Sequence, residues 1–392
     1  MYFNNFKGLK LSALGFGTMR FPLKADGTPD LELTKNMIGE AYRAGVNYYD
    51  TAFPYMNGKS EEITAECLSE YPRTSYFLAD KMPGHQFYDK LDPKAVFEEQ
   101  LRRLRTDYID FYLLHNVNDS CMETYMDKGP GIIPYLLKEK ENGRIRFLGF
   151  SAHATLPELE EFLKYLKSHD YPMDFCQIQL NYLDWTLQKG KEKVQLLKEY
   201  GIPVWVMEPL RGGKLSKLPL KERNRLPGNG AESSDASFAF RWLMQFPEVI
   251  MILSGMSSSE ALRDNLRTFS VRRPLSGEEN SLILEIAENL KNGVPCTGCR
   301  YCTENCPRGL DIPFLMDLYN DYSVEIHMTP AVLLSSVEKG KRPSDCIGCG
   351  NCELSCPQHI RIPAVMKELS SLIDRGIDWE KVCMERNRMF ES

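Results

Sequence analysis

Eight of the twelve cysteines fall into two copies of one spacing. "CTGCRYCTENCP" starts at Cys296 and "CIGCGNCELSCP" at Cys346, each reading C-x-x-C-x-x-C-x-x-x-C-P. Thiolates are soft ligands, and a [4Fe-4S] cubane takes four of them. The two-residue gaps let three sulfurs converge on one cluster from a single turn of chain. The fourth cysteine, followed by proline, ligates the other cluster in two-cluster proteins. The spacing therefore predicts one cluster on Cys296, Cys299, Cys302 and Cys356, and a second on Cys346, Cys349, Cys352 and Cys306. Zinc also accepts four thiolates, but two complete copies, each closed by a proline, favour clusters. Cys67, Cys121, Cys176 and Cys383 are scattered and read as ordinary buried residues.

A different chemistry is written in the first three-quarters of the chain. "GVNYYDTAFPYMNGKSE" puts Asp50 at the end of an apolar run and Tyr55 in the loop behind it. "FLADKMPG" ends the next run at Lys81, and "FYLLHNV" ends the fourth at His115. Taken singly, a histidine of this kind is more often a satisfied core residue and such a lysine ends in water. As a set, polar groups that terminate successive strands converge on one mouth if those strands form a barrel. Glu208, after the seventh run, is either a site carboxylate or the partner of an arginine.

The elements that must position these groups are legible. From residue 13 to about 270, near-continuous apolar runs alternate with amphipathic segments, eight times over. Apolar strands of this kind suit a parallel sheet buried on both faces, and eight repeats predict a (β/α)8 TIM barrel with its site at the C-terminal ends of the strands. Asp92 and Pro93 read as the cap and first residue of one helix. The opening "YFNNFKGLKLS" reads as a hairpin closing the barrel floor, and residues 209–234 form a long loop rich in Gly and Pro. After a bridging helix at about 277–292, the cysteine region carries helical material between its motifs. The expected domains are 1–275, the barrel, and 276–392, a mainly helical two-cluster ferredoxin-like domain. The chain is 43% hydrophobic and 26% charged, with a net charge of −6. That balance argues against a nucleic-acid partner. No run of about 18 apolar residues predicts a membrane span, and neither the start of the chain nor the cysteine clustering reads as secreted. The expected setting is the cytoplasm.

With these motifs in order, residues 1 to about 275 resemble the aldo/keto reductase superfamily, and the tail resembles its iron–sulfur-containing branch. "DTAFPYMNGKSE" is similar to the family's D-T-A-x-x-Y segment, with the lysine and histidine following at the expected distances. The resemblance implies that Tyr55 is the general acid, that Lys81 and Asp50 tune it, and that His115 orients a carbonyl. A neighbouring ammonium would lower the tyrosine's pKa from its ordinary value of about 10. It also implies a nicotinamide site: Ser151 and Gln179 on the carboxamide, Met207 where many relatives carry an aromatic platform, and Arg211, Gly212 and Gly213 at a pyrophosphate. Gly255, Ser257, Ser258 and Asn265 would serve a phosphate at a helix N-terminus. Ala152 replaces an asparagine common in relatives, and Ser257 a basic residue for the 2′-phosphate, which Arg263 could reach from the following helix.

The expected function is oxidoreduction of a carbonyl, an alcohol or a related small molecule with NADP(H) or NAD(H), the clusters serving an external one-electron carrier. Because hydride chemistry moves two electrons and cubanes pass one each, a second reading places FMN in the same cleft as the converter. A third treats the barrel as the scaffold of a non-enzymatic electron carrier.

Overall fold

The structure, a computed structural model, describes residues 1–84, 91–118, 121–126, 131–228, 233–290, 293–324, 334 and 337–375. Cys383 lies outside them. The chain divides into two compact units. One joins Met1–Leu210 to Leu215–Glu285, and the other joins Arg211–Lys214 to Ile286–Ser392. This division cuts the helix Gly277–Asn289 and gives a short piece of the long loop to the second unit.

In the first unit a hairpin comes first, strand β1 (Phe3–Phe6) pairing antiparallel with β2 (Leu9–Ser12). Eight parallel strands follow: β3 (Leu14–Gly17), β4 (Tyr48–Asp50), β5 (Phe77–Met82), β6 (Ile109–Val117), β7 (Ile145–Ala152), β8 (Phe175–Gln179), β9 (Val204–Met207) and β10 (Val249–Ser254). They close into a barrel in the order β10-β3-β4-β5-β6-β7-β8-β9. The strands are apolar throughout because the barrel interior covers one face and the helices the other; all nine residues of β6 are buried. The hairpin supplies part of the barrel's core. The Phe6 ring stands edge-on to Trp205 at 4.9 Å and to Phe147 at 5.1 Å, and with Tyr48, Phe111, Phe175 and Met251 these side chains fill the interior.

The intervening helices start where local chemistry predicts. Asp92 accepts from the amides of Lys94 and Ala95, and Pro93 takes the first helical position of Pro93–Leu104. Thr155 and Glu158 form a reciprocal capping box at the head of Leu156–Ser168. These caps satisfy amides that no helical carbonyl can reach.

The second unit is mainly helical, built on Ile312–Val324 and Ile362–Arg375. Each follows one cysteine motif, whose third cysteine rides on a short helix, Tyr301–Glu304 or Asn351–Leu354. The two halves repeat at a constant offset. Asn305 donates to Ser355 Oγ at 2.7 Å, so equivalent residues of the two motifs meet each other. That is the signature of an approximate two-fold axis through this point.

Candidate active site and cysteine cavities

The ends of β4, β5 and β6 bring together the polar set expected from the sequence. Lys81, with none of its surface exposed, donates to Asp50 Oδ1 and to the Thr51 carbonyl, both at 2.6 Å. Its Nζ lies 4.9 Å from the centre of the Tyr55 ring. Tyr55 meets His115 edge-on, ring centres 5.8 Å apart. Tyr55 is aimed by an unusual stretch of backbone, because Met56 and Asn57 both adopt positive φ, at 54° and 55°. Non-glycine residues take that region only when their surroundings enforce it. A hydroxyl network stiffens the neighbouring strand ends. Thr18 Oγ1 donates to the Asp50 carbonyl at 2.9 Å, and Ser60 Oγ lies 2.6 Å from Thr18 Oγ1 and 2.9 Å from Thr51 Oγ1.

The electrostatics differ from the expectation in one respect. Burial, first, and then the negative charges of Asp50 and Glu208, push the Tyr55 phenol well above its ordinary range; Arg20 opposes this. The Lys81 ammonium does not reverse the balance, because it is spent on Asp50 and Thr51. The phenol is therefore held protonated rather than drawn toward phenolate. Burial also raises Asp50, against the pull of Lys81.

On the cofactor side, Ser151 and Gln179 are buried at the ends of β7 and β8. Ser151 Oγ accepts from the Asn116 amide at 2.8 Å. The Gln179 amide nitrogen donates to Asp184 Oδ2 at 2.7 Å, and Asn181 donates to the same oxygen. Met207 pairs in register with Gln179 and takes a long contact from Gln177 Nε2 at 3.8 Å. Ser258 caps the helix Ser259–Thr268, and Asn265 donates to Ser254 Oγ at 2.9 Å, tying that helix to β10. Gly255 lies alongside the Arg20 side chain, and Ser257 sits in the loop between them and the cap. Arg263, the cation that could reach a 2′-phosphate, forms an ion pair with Glu40 at 3.0 Å.

Arg211 and Gly212 make contacts that the sequence did not suggest. Both belong to the second unit, as does Gly213. The buried Arg211 guanidinium donates to the Pro295 carbonyl at 3.2 Å. Gly212 lies so close to the Thr297 carbonyl that a Cβ there would stand 1.9 Å from its oxygen. Arg211 and Gly212 thus pack on the first cysteine loop, beside the role at a pyrophosphate that the resemblance implies.

Several contributors carried no clear sequence signal. Tyr125 Oη lies 2.6 Å from the His115 carbonyl and 3.0 Å from that of Met82, and it accepts from the Gly84 amide. Arg20 donates to Glu208 at 3.1 Å across the mouth, and Glu208 itself has φ of 53°. Of the two readings of Glu208, the arginine-paired one describes its contacts.

In the second unit, Cys296, Cys299, Cys302 and Cys356 line one cavity, together with Ile312, Met316 and Ile360. Cys306, Cys346, Cys349 and Cys352 line another, with Leu310, Ile362 and Met366. Among the described residues, no three cysteine, histidine or carboxylate groups gather as ligands of a single metal ion. Four thiols spread around an apolar cavity are the donor set of a cubane. The Gly298 amide donates to Cys296 Sγ at 3.4 Å. The residues present thus fit two [4Fe-4S] clusters.

Comparison with known proteins agrees with both halves. Residues 295–360 match the 4Fe-4S dicluster domain. An NADH-specific methylglyoxal reductase of Escherichia coli is 27% identical over 72% of this chain and 97% of its own length. L-galactose dehydrogenase of Arabidopsis thaliana is 28% identical over 72% of this chain and 93% of its own. A holo-form aldo-keto reductase from Bacillus halodurans superposes with a TM-score of 0.58 at 26% identity, over 73% of this chain and 95% of that one. Residues 13–288 match the aldo/keto reductase family: the chain belongs to that family of oxidoreductases, its (β/α)8 barrel followed by a 4Fe-4S dicluster domain.

Proposed function

We propose that the barrel interconverts small carbonyl compounds and alcohols with NAD(P)H, Tyr55 donating the proton, and that two [4Fe-4S] clusters connect the chain to an external one-electron carrier. The observation that carries the first part is geometric: the Tyr55 ring stands 5.8 Å from that of His115 and 4.9 Å from Lys81 Nζ, with Lys81 bonded to the buried Asp50. When bound, the nicotinamide supplies the hydride. The chain's own residues do the rest. Tyr55 carries a proton to the carbonyl oxygen, and His115 presents its ring edge where that oxygen must sit. Lys81, held by Asp50 and the Thr51 carbonyl, lies against the Tyr55 ring and keeps it in place. Ser151 and Gln179 would hold the carboxamide, Gly255, Ser257 and Ser258 a phosphate, with Asn265 anchoring the helix behind them; Met207 would floor the ring. Cys296, Cys299, Cys302 and Cys356 would hold one cluster, and Cys306, Cys346, Cys349 and Cys352 the other. The domain limits, 1–275 and 276–392, belong to the same proposal. The flavin alternative gains no support from the fold or the relatives.

The test is Tyr55→Phe in protein purified without oxygen, assayed with NADH or NADPH and methylglyoxal, the substrate named for the Escherichia coli relative. Turnover should fall about 10²–10⁴-fold while iron content and cluster absorbance stay unchanged. Equal turnover in the variant would show that the proton comes from elsewhere.

A further inference from the structure

The two cysteine motifs are near-copies, so each half of the second unit is a control for the other. In the first half the loop between Cys296 and Cys299 is covered. Thr297 is only 3% exposed, with Gly212 packed on its carbonyl. Two residues further on, Lys214 pairs with Asp317 at 2.8 Å. A short segment of polypeptide thus sits over this loop and is held there by an ion pair. In the second half the equivalent loop residue is Ile347, and it is 58% exposed. Cys349 beside it is also exposed, and Leu354, equivalent to Glu304, is the most exposed large apolar residue described, at 83%. Among the described residues, the surface that a peptide segment covers in one half is open and apolar in the other.

The charges change sign between the halves as well. Asp317, the anchor for Lys214, is replaced at the equivalent position by exposed Lys367. Asp311, paired with Arg300 at 2.9 Å, is replaced by exposed Arg361. Arg308 lines the second cavity, and Lys341 donates to its carbonyl at 2.7 Å. On the acidic side, Glu353 and Glu368 are nearby in sequence, and Asp345 is bonded to the Arg342 amide. This basic rim stands on a chain whose net charge is −6. An acidic protein would therefore be repelled by the chain as a whole and drawn to this rim.

We propose that the cluster held by Cys306, Cys346, Cys349 and Cys352 is the port at which a small acidic one-electron carrier protein docks, seated on Ile347 and Leu354 and held by Arg361, Lys367 and Arg308. This rests on the cluster reading above. The step at the port is electron transfer alone: the reduced partner loses one electron, the oxidised one gains it, and no bond or proton changes hands. An apolar centre with a charged rim gives such an encounter its contact and its orientation. The first cluster, beneath the Arg211–Lys214 segment, has no comparable open face at Thr297.

The experiment uses full-length, iron-loaded protein with its clusters chemically reduced, mixed in a stopped-flow instrument with oxidised cytochrome b5, an acidic probe, or cytochrome c, a basic one. Transfer to the acidic cytochrome should be the faster at low salt and should slow about tenfold or more as salt screens the rim. Transfer to the basic cytochrome should not show that dependence. Arg361→Glu with Lys367→Glu should slow the acidic probe about tenfold and weaken its calorimetric binding, with iron content unchanged. If that variant loses its iron, the salt dependence of the acidic probe, set against its absence in the basic one, decides the matter on the unaltered chain. Equal, salt-independent rates for both probes would overturn the proposal, as would a homodimer that Ile347→Glu dissociates, since the occupant would then be a second copy. A chain that never binds iron would instead overturn the cluster reading itself.

Discussion

Lys81 keeps its side chain entirely out of water, so the groups around it decide what its charge can do. Its neighbour in β5, Asp80, points to the opposite face of the strand and is equally buried. Burial, first, and the charge of Glu61 push the Asp80 carboxyl well above the ordinary carboxylate range. Glu61 is itself bonded to Gln100 at 3.2 Å and Arg103 at 3.0 Å. The fold therefore holds the Asp80 proton to a higher pH than the unfolded chain does, whose aspartates ionise near pH 3.9. A folded-state pKa that is raised makes stability fall as pH climbs from that ordinary value toward the raised one, by up to about 1.4 kcal/mol per pH unit. Asp80→Asn removes the titration. The barrel's thermal midpoint in the variant should gain on the unaltered protein as pH rises above about 4. A pH-independent difference would mean that Asp80 is ionised in the folded protein. In the sequence Lys81 was recognisable because it ends an apolar run, whereas Asp80 was not, since its only sign was the alternation of one strand.

At the scale of elements, the barrel mouth depends on how β5 and β6 are clamped together beyond their last ladder bonds. Tyr125 does this from the short helix Met122–Tyr125, its hydroxyl set between the Met82 and His115 carbonyls while it accepts from Gly84. Gly84 has to be glycine here, since a Cβ would stand 2.5 Å from the tyrosine ring. Tyr125→Phe leaves a buried amide and carbonyl short of a partner, which costs about 1–3 kcal/mol. It should also let the His115 backbone shift. The expected outcome is a fall in kcat of about tenfold or more, with KM for the nicotinamide unchanged; a loss confined to thermal stability would make Tyr125 purely structural. The eight strands and the hairpin were legible because they are apolar runs with fixed periods, and the Asp92 cap because it depends only on its own next residues. The end of β6 was less so: the strand runs past His115 to Val117. The packing of Arg211 and Gly212 on the first cysteine loop was not legible. The segment's glycines suit a phosphate in isolation, and the neighbours of Arg211 and Gly212, Pro295 and Thr297, lie more than eighty residues away in the chain.

At the scale of the whole molecule, the second unit is a repeated half-domain whose halves cannot each complete a site. Cys356 belongs in sequence to the second motif but stands in the cavity of the first, and Cys306 does the reverse. Asn305 and Ser355, one residue before each of these cysteines, bond across the junction. On the ligand sets proposed above, the exchange couples the halves, since neither cluster would form on one motif alone. It makes an unusual prediction about which substitutions resemble each other. Cys299→Ser and Cys356→Ser, far apart in sequence, should disable the same cluster, while Cys306→Ser should pair with Cys349→Ser. Each variant, purified without oxygen, should fall from about eight irons per chain to about four. The electron paramagnetic resonance spectra of the reduced variants should then sort into two classes by cavity rather than by motif. In all four, the magnetic interaction between neighbouring reduced clusters should vanish. If Cys356→Ser instead matched Cys349→Ser, each motif would be building its own cluster, and the crossed arrangement of the cavities would be wrong.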